Sequence, residues 1–283
     1  MPINYPAYRE HRDAAESANN AIMALFVGSQ LAARTLTLTS GSPHLLSEIF
    51  PLVPHISRLD LTAAAASDLI DSAEVHLADV AVPHALALHE GYINSVRDLL
   101  LASGIPVPLL GLKWNASNMH TILFAALGAP VPSGHDLFEL LRRLRNAVIH
   151  NASMLDSYAV AAVPLLSGAS EARWMDVVGS PATKFVAGDK LSMGLGEVMM
   201  AFSTTRYLTA EINGALGGAL PRTQWANMVV QDYADTEPIG FKSSMRLAAK
   251  LQRFAHLQYR PLGMTSSELR AEAVNVGVSP IRL

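Results

Sequence analysis

The chain has 283 residues and a net charge of −3, enough length for one large domain or two modest ones and no overall bias towards polyanions. Half of the residues are hydrophobic but only 6% are aromatic, a balance that suits close-packed helices better than sheets. Cysteine is absent, which excludes disulfides, thiolate nucleophiles and Cys-based zinc sites together and favours a cytoplasmic location.

Residues 1–12 are polar with both charge signs, unlike a secretory leader. Apolar residues at helical spacing (Ile22, Leu25, Phe26, Leu31) predict a long helix over 5–37, broken at Gly41-Ser42-Pro43. Its charge-free stretch, 17–33, and a second apolar stretch, 114–134, are too short or too interrupted to span a bilayer, so both are expected as buried core helices with no membrane contact. A short helix over 44–50 and an alanine-rich helix over 61–80 follow, and Pro83 is placed to start the next one, ending near residue 103. A helix over 115–127 closes at Gly128 and Pro130.

The helix that follows has the clearest start signal. Ser133 is an expected N-cap with Asp136 three residues on, as in a capping box. Leu137, Leu140, Leu141, Leu144 and Val148 then form an apolar stripe. Residues 164–193 are interrupted by Pro and Gly, and 184–191 reads as a small hairpin. A helix over 195–216 is expected to stop at Gly217-Gly218, and helices over 222–230, 241–258 and 266–273 complete the chain.

Residues four apart share a helix face, so Arg142, Asn146 and His150 stack on one side of the Leu-striped helix with Arg145 beside them. Imidazole gives and takes protons near neutral pH, and guanidinium binds phosphate in a forked geometry. In a ribonucleic acid the nucleophile is the neighbouring 2′-hydroxyl, so such a set performs transesterification without a metal or other cofactor. The plain alternative is a surface arginine and a histidine interacting with the helix C-terminus.

The stretch 135–151 resembles the signature helix of the HEPN superfamily, whose motif is Arg, a polar residue, several variable residues and His; Arg145, Asn146 and His150 match it. The resemblance implies an all-α, up-and-down HEPN-like bundle over 5–217 with a small irregular or hairpin insertion, followed by a helical C-terminal segment, 221–283. It further implies a homodimer whose two motifs line one cleft. His150 would be the general acid–base, Arg145 the stabiliser of the phosphate and Asn146 the orienting group, with Arg142 and Arg143 as substrate contacts. The activity implied is metal-independent endoribonuclease cleavage in toxin–antitoxin or antiviral defence, with an antitoxin or defence-system protein as partner. Other HEPN proteins only bind RNA, nucleotides or proteins, and that is the alternative.

Residues 1–130 hold 6 basic against 11 acidic side chains and residues 131–283 hold 15 against 13, so positive charge is concentrated late in the chain. Lys242, Arg246, Lys250 and Arg253 form a stripe opposite Met245, Leu251 and Phe254, a candidate contact for an RNA backbone or else an ordinary solvated face. His76, His84 and His89 with Glu90 match no zinc-binding spacing, and no metal is expected. Glu90 and Asp98 are rival candidates for an acidic residue facing the motif. The Gly194 and Gly196 turn lacks the strand-to-helix context of a dinucleotide site.

Overall fold

The computed structural model describes residues 1–38, 43–238, 241 and 246–277, and of Asp71 the backbone alone. Among the described residues the chain is all-α, with 12 helices and no strand. These are α1 (Pro6–Thr37), α2 (Leu46–Ile49), α3 (Ala63–Asp71), α4 (Ala73–Ala102), α5 (Met119–Ala126), α6 (His135–His150), α7 (Ser157–Val160), α8 (Gly168–Val178), α9 (Leu195–Ala219), α10 (Arg222–Thr236), α11 (Leu247–Gln258) and α12 (Ser266–Asn275). No described helix is long and apolar enough to cross a membrane.

The chain divides into two compact units. The first contains Met1–Ala14, Ala87–His135 and the residues from Thr205 onward. Its core joins Ile3 and Tyr5 to Ile93 of α4, Phe124 of α5, Leu216 of α9, and Trp225 and Tyr259 of the C-terminal segment. Here α10, α11 and α12 pack on one another. The N-terminus is tied in by Asn213, which accepts from the Ile3 N–H and donates to its carbonyl, both at 2.8 Å. The second unit is Ala15–Leu86 with Asp136–Thr204. It includes a small cluster of Leu36, Leu46, Ala63 and Ala66 and an edge-on pair, Trp174 and Phe185, 5.9 Å apart.

Several elements depart from the sequence expectation for identifiable reasons. The middle of α1 is not a core helix: Leu25 and Leu31 are 59% and 60% exposed. An absence of charge did not establish burial there. Pro83 lies inside α4 rather than at its start. Proline removes one helical hydrogen bond, but Ala78, Val82 and Leu86 around it are buried, and that packing outweighs the loss. Ser133 does not close a capping box; its hydroxyl faces Tyr207 at 3.4 Å. Instead Asp136 accepts from the Leu137 N–H, the Ser167 N–H and the Ser170 hydroxyl, joining the start of α6 to the start of α8.

The segment 184–191 is not a hairpin. It begins in a 3-10 turn, Ala182–Lys184, and pairs with residues 153–155 rather than with itself, through Leu155 N–H to Asp189 O, Gly188 N–H to Leu155 O and Leu191 N–H to Ser153 O. Burial of Phe185 and Leu191 fixes this arrangement. The irregular reading of 164–193 also missed α8, which is capped by the Ser167 hydroxyl. Finally, α9 continues through Gly217 and Gly218. A Cβ at Gly217 would sit 2.8 Å from Ile3 Cδ1, so this glycine permits close approach of the N-terminus instead of ending the helix.

Candidate functional site

The motif residues all lie on α6. Leu137, Leu140, Leu141 and Leu144 are fully buried while Val148 is half-buried, which fixes the rotation of the helix. Arg145 and Asn146 are half-buried and His150 is exposed at the last position. Arg145 Nη1 donates to Asn146 Oδ1 at 3.3 Å. His150 follows Asn146 by one helical turn and thus lies on the same face. The amide oxygen is directed at the cation, leaving the Asn146 nitrogen as its donor.

The other two arginines of the helix have specific structural partners. Arg142 is 4% exposed. Its Nε and Nη2 donate to the Glu139 carboxylate at 3.1 and 2.7 Å, and Nη2 also donates to the Tyr158 hydroxyl at 3.0 Å. Burial disfavours the charged guanidinium, but Glu139 and Tyr158 more than offset it, so the Arg142 pKa is raised. Arg143 lies over the Tyr158 ring, 4.5 Å from its centroid, and donates to the Tyr158 carbonyl at 3.0 Å. Together they fasten α7 to α6.

Beyond His150 the chain reverses. The N–H groups of Asn151 and Ser153 both donate to the Ala147 carbonyl at 3.0 Å. Ala152 and Ser153 take left-handed backbone angles, φ 49° and 63°, at about 1 kcal/mol each for residues with a Cβ. That turn delivers residues 153–155 to their pairing with 188–191, beside a shallow cavity of about 160 Å³. Lys184 and Lys190 line it, and Lys184 is held by Glu197 at 2.6 Å. The glycines nearby serve packing: a Cβ at Gly196 would lie 2.8 Å from Val178 Cα.

Of the C-terminal basic stripe, Lys242 and Met245 lie outside the described residues. Arg246, just before α11, and Lys250 and Arg253 within it are exposed, while Leu247, Ala248, Leu251 and Ala255 are buried on the opposite side. Asp98 is exposed and pairs with its neighbour Arg97 at 2.8 Å; Glu90 is half-buried on α4.

Sequence spacing missed a histidine cluster in the first unit. His89 does not join His76 and His84, which are exposed. Its Nε2 lies 2.9 Å from His120 Nε2, its Nδ1 lies 3.0 Å from Thr209 Oγ1, and Thr209 Oγ1 lies 3.1 Å from His11 Nε2. The His120 ring meets His135 edge-on at 4.8 Å. Burial, reinforced by His11 and His135, pushes the His89 pKa down to about 3, and burial with the neighbouring imidazoles holds His120 well below its ordinary value. These five residues come from separate parts of the sequence, so no local motif marks them. Among the described residues no three His, Asp or Glu side chains are placed to hold a metal ion.

No family model matches the chain, and no curated protein or solved structure matches it.

Proposed function

We propose that the protein is a HEPN-type, metal-independent endoribonuclease that acts as a homodimer in toxin–antitoxin or antiviral defence, with a further protein of that system as partner. The observation that carries this reading is the contact of Arg145 with Asn146, one turn before the exposed His150 on the same helix. In the proposed reaction His150 takes the proton of an RNA 2′-hydroxyl, whose oxygen attacks the adjacent phosphorus. The bond to the 5′-oxygen breaks, the leaving oxygen is protonated, and a 2′,3′-cyclic phosphate remains. Arg145 stabilises the charge developing on the phosphate oxygens, and Asn146 orients the phosphate through its amide nitrogen. Arg246, Lys250 and Arg253 would hold the RNA backbone through counterion release.

Arg142 and Arg143 support the second reading, a non-catalytic RNA-binding or scaffold protein, because their guanidinium groups are engaged by Glu139 and Tyr158. A site with one cation beside the imidazole has less charge stabilisation to offer a transition state. The deciding experiment incubates purified protein with mixed RNA in EDTA beside Arg145→Ala and His150→Ala. Cleavage to cyclic-phosphate ends by the wild type alone is expected. Intact RNA, or equal cutting by the variants, overturns the nuclease reading.

A further inference from the structure

Residues 238–267 contain five Lys or Arg and no Asp or Glu, whereas the rest of the chain holds 16 against 24. The described cations of this stretch lie on α11 and at its two ends. Residues three, four and seven apart share a helix face. Accordingly Ala249, Lys250, Arg253, His256 and Leu257 are exposed together, opposite the buried Leu247, Ala248, Leu251 and Ala255. Arg260 extends the exposed face into the 3-10 turn Arg260–Leu262. At about 1.5 Å per residue the row from Lys250 to Arg260 is about 15 Å long. It stands on a helix packed against α10 and α12, so its charges are held at fixed intervals.

Most acids of the two neighbouring helices are engaged elsewhere. Asp232 of α10 is buried against Arg9 and the Tyr259 hydroxyl. On α12, Glu268 pairs with Arg222 at 2.6 Å, and Glu272 accepts from the side-chain amides of Asn227 and Asn275 at 2.7 and 3.1 Å. Asp235 and Glu237 are exposed at the C-terminal end of α10. Among the described residues, the side chains of Lys250, Arg253 and Arg260 make no hydrogen bond or ion pair. The large aromatic rings of this stretch turn inward. Tyr259 is fully buried, and Phe254 packs on Tyr233 and Tyr259 with ring centres 5.4 and 6.2 Å away. The face thus presents cations without a Phe, Tyr or Trp platform.

We propose that this face binds the phosphate backbone of a nucleic-acid duplex, the choice of RNA resting on the ribonuclease reading above. A row of fixed charges is matched at least ordering cost by a partner whose phosphates are also fixed in place. A single strand must first be ordered, and proteins that bind single strands offset that cost by stacking bases on exposed aromatic side chains. This face lacks such a platform. A duplex carries a phosphate about every 3.4 Å of its axis on each strand, so a row of about 15 Å spans about four of them. The deep, narrow major groove of an A-form duplex keeps its base edges from side chains. Contact is therefore with the backbone and is blind to sequence. The substrate class that follows is double-stranded or hairpin RNA, held by the first unit whether or not it is cut.

Binding to the full chain carrying His150→Ala, measured in EDTA by fluorescence anisotropy, tests the contact without cleavage. The probes are an RNA duplex, one of its strands alone and a DNA duplex of the same length, with phosphatidylserine–phosphatidylcholine vesicles tested by co-sedimentation. The RNA duplex should bind more tightly than its single strand. Lys250→Ala, Arg253→Ala and Arg260→Ala together should flatten the dependence of log Kd on log salt by about 2.7 for a duplex. Lys250→Arg, Arg253→Lys and Arg260→Lys together should keep the original slope, because phosphates respond to the charge. Weaker binding of the DNA duplex assigns the face to RNA, and equal binding assigns it to duplexes of either kind. A single strand bound as tightly as the duplex, vesicles bound in its place, or an unchanged salt slope in the folded alanine variant would each overturn the proposal. The ribonuclease reading fails separately. Duplex binding by a wild type that cuts no RNA removes that reading and keeps this contact, whereas cleavage without duplex preference does the reverse.

Discussion

Arg9 grips Asp232 with both terminal nitrogens, at 2.9 and 2.6 Å, across 223 residues of chain. Asp232 is 3% exposed and also accepts from the Tyr259 hydroxyl at 2.7 Å, so three segments of the first unit meet on one carboxylate. Removing one member of a buried pair leaves the other charge unmatched. Arg9→Ala should therefore destabilise the protein by about 3 kcal/mol, read as a lower urea midpoint. A midpoint within error of the wild type would show that Tyr259 alone satisfies Asp232.

Acid should weaken the fold through the buried histidines. His89 and His120 have native pKa values below the ordinary 6.5, so the unfolded chain binds more protons between that value and the native one. Their contribution is intact above about pH 6.5 and declines as pH falls. Each costs about 1.4 kcal/mol per pH unit until its native pKa is reached, which for His89 is about 3. Urea unfolding at pH 7.5 and 5.5 should reveal this, and a stability unchanged between them would count against neutral, buried rings.

Tyr158 should matter through its arginine partners. Tyr158→Phe loses the bond from Arg142 but keeps the ring under Arg143, and should cost about 1 kcal/mol. Tyr158→Ala loses both and should cost about 2 kcal/mol. Equal denaturation midpoints for the two variants would show that the ring under Arg143 contributes nothing.

Gly196→Ala brings a Cβ to 2.8 Å from Val178 Cα and 3.1 Å from its carbonyl oxygen. Backbone cannot swing aside as a side-chain tip can, so the substitution should cost about 1–3 kcal/mol despite the better helix propensity of alanine. Thermal unfolding measures it, and a raised Tm would mean that α8 and α9 separate without cost.

If the protein binds RNA, Lys250→Ala with Arg253→Ala should weaken binding for all sequences alike. Two lost phosphate contacts should flatten the dependence of log Kd on log salt by about 1.4 for single strands. Stability should change by less than about 0.5 kcal/mol, because both side chains are exposed. An unchanged salt slope would remove this helix face from the interface.

The sequence alone determined the helical class and the existence of most helices, because apolar residues at 3.6 spacing, and Gly and Pro between such runs, act locally. It also placed Arg145, Asn146 and His150 on one stretch of α6, since i to i+4 proximity needs no tertiary information. Local signals failed where a distant partner decided the outcome. Packing carried α4 through Pro83 and made Gly217 a point of close approach to Ile3, and residues 153–155 took the pairing expected within 184–191. Tertiary structure alone engaged Arg142 and Arg143 with Tyr158 and assembled His11, His89, His120 and Thr209. Contacts between residues as far apart as His11 and Thr209 leave no periodic trace, because they depend on which helix faces meet when the core closes.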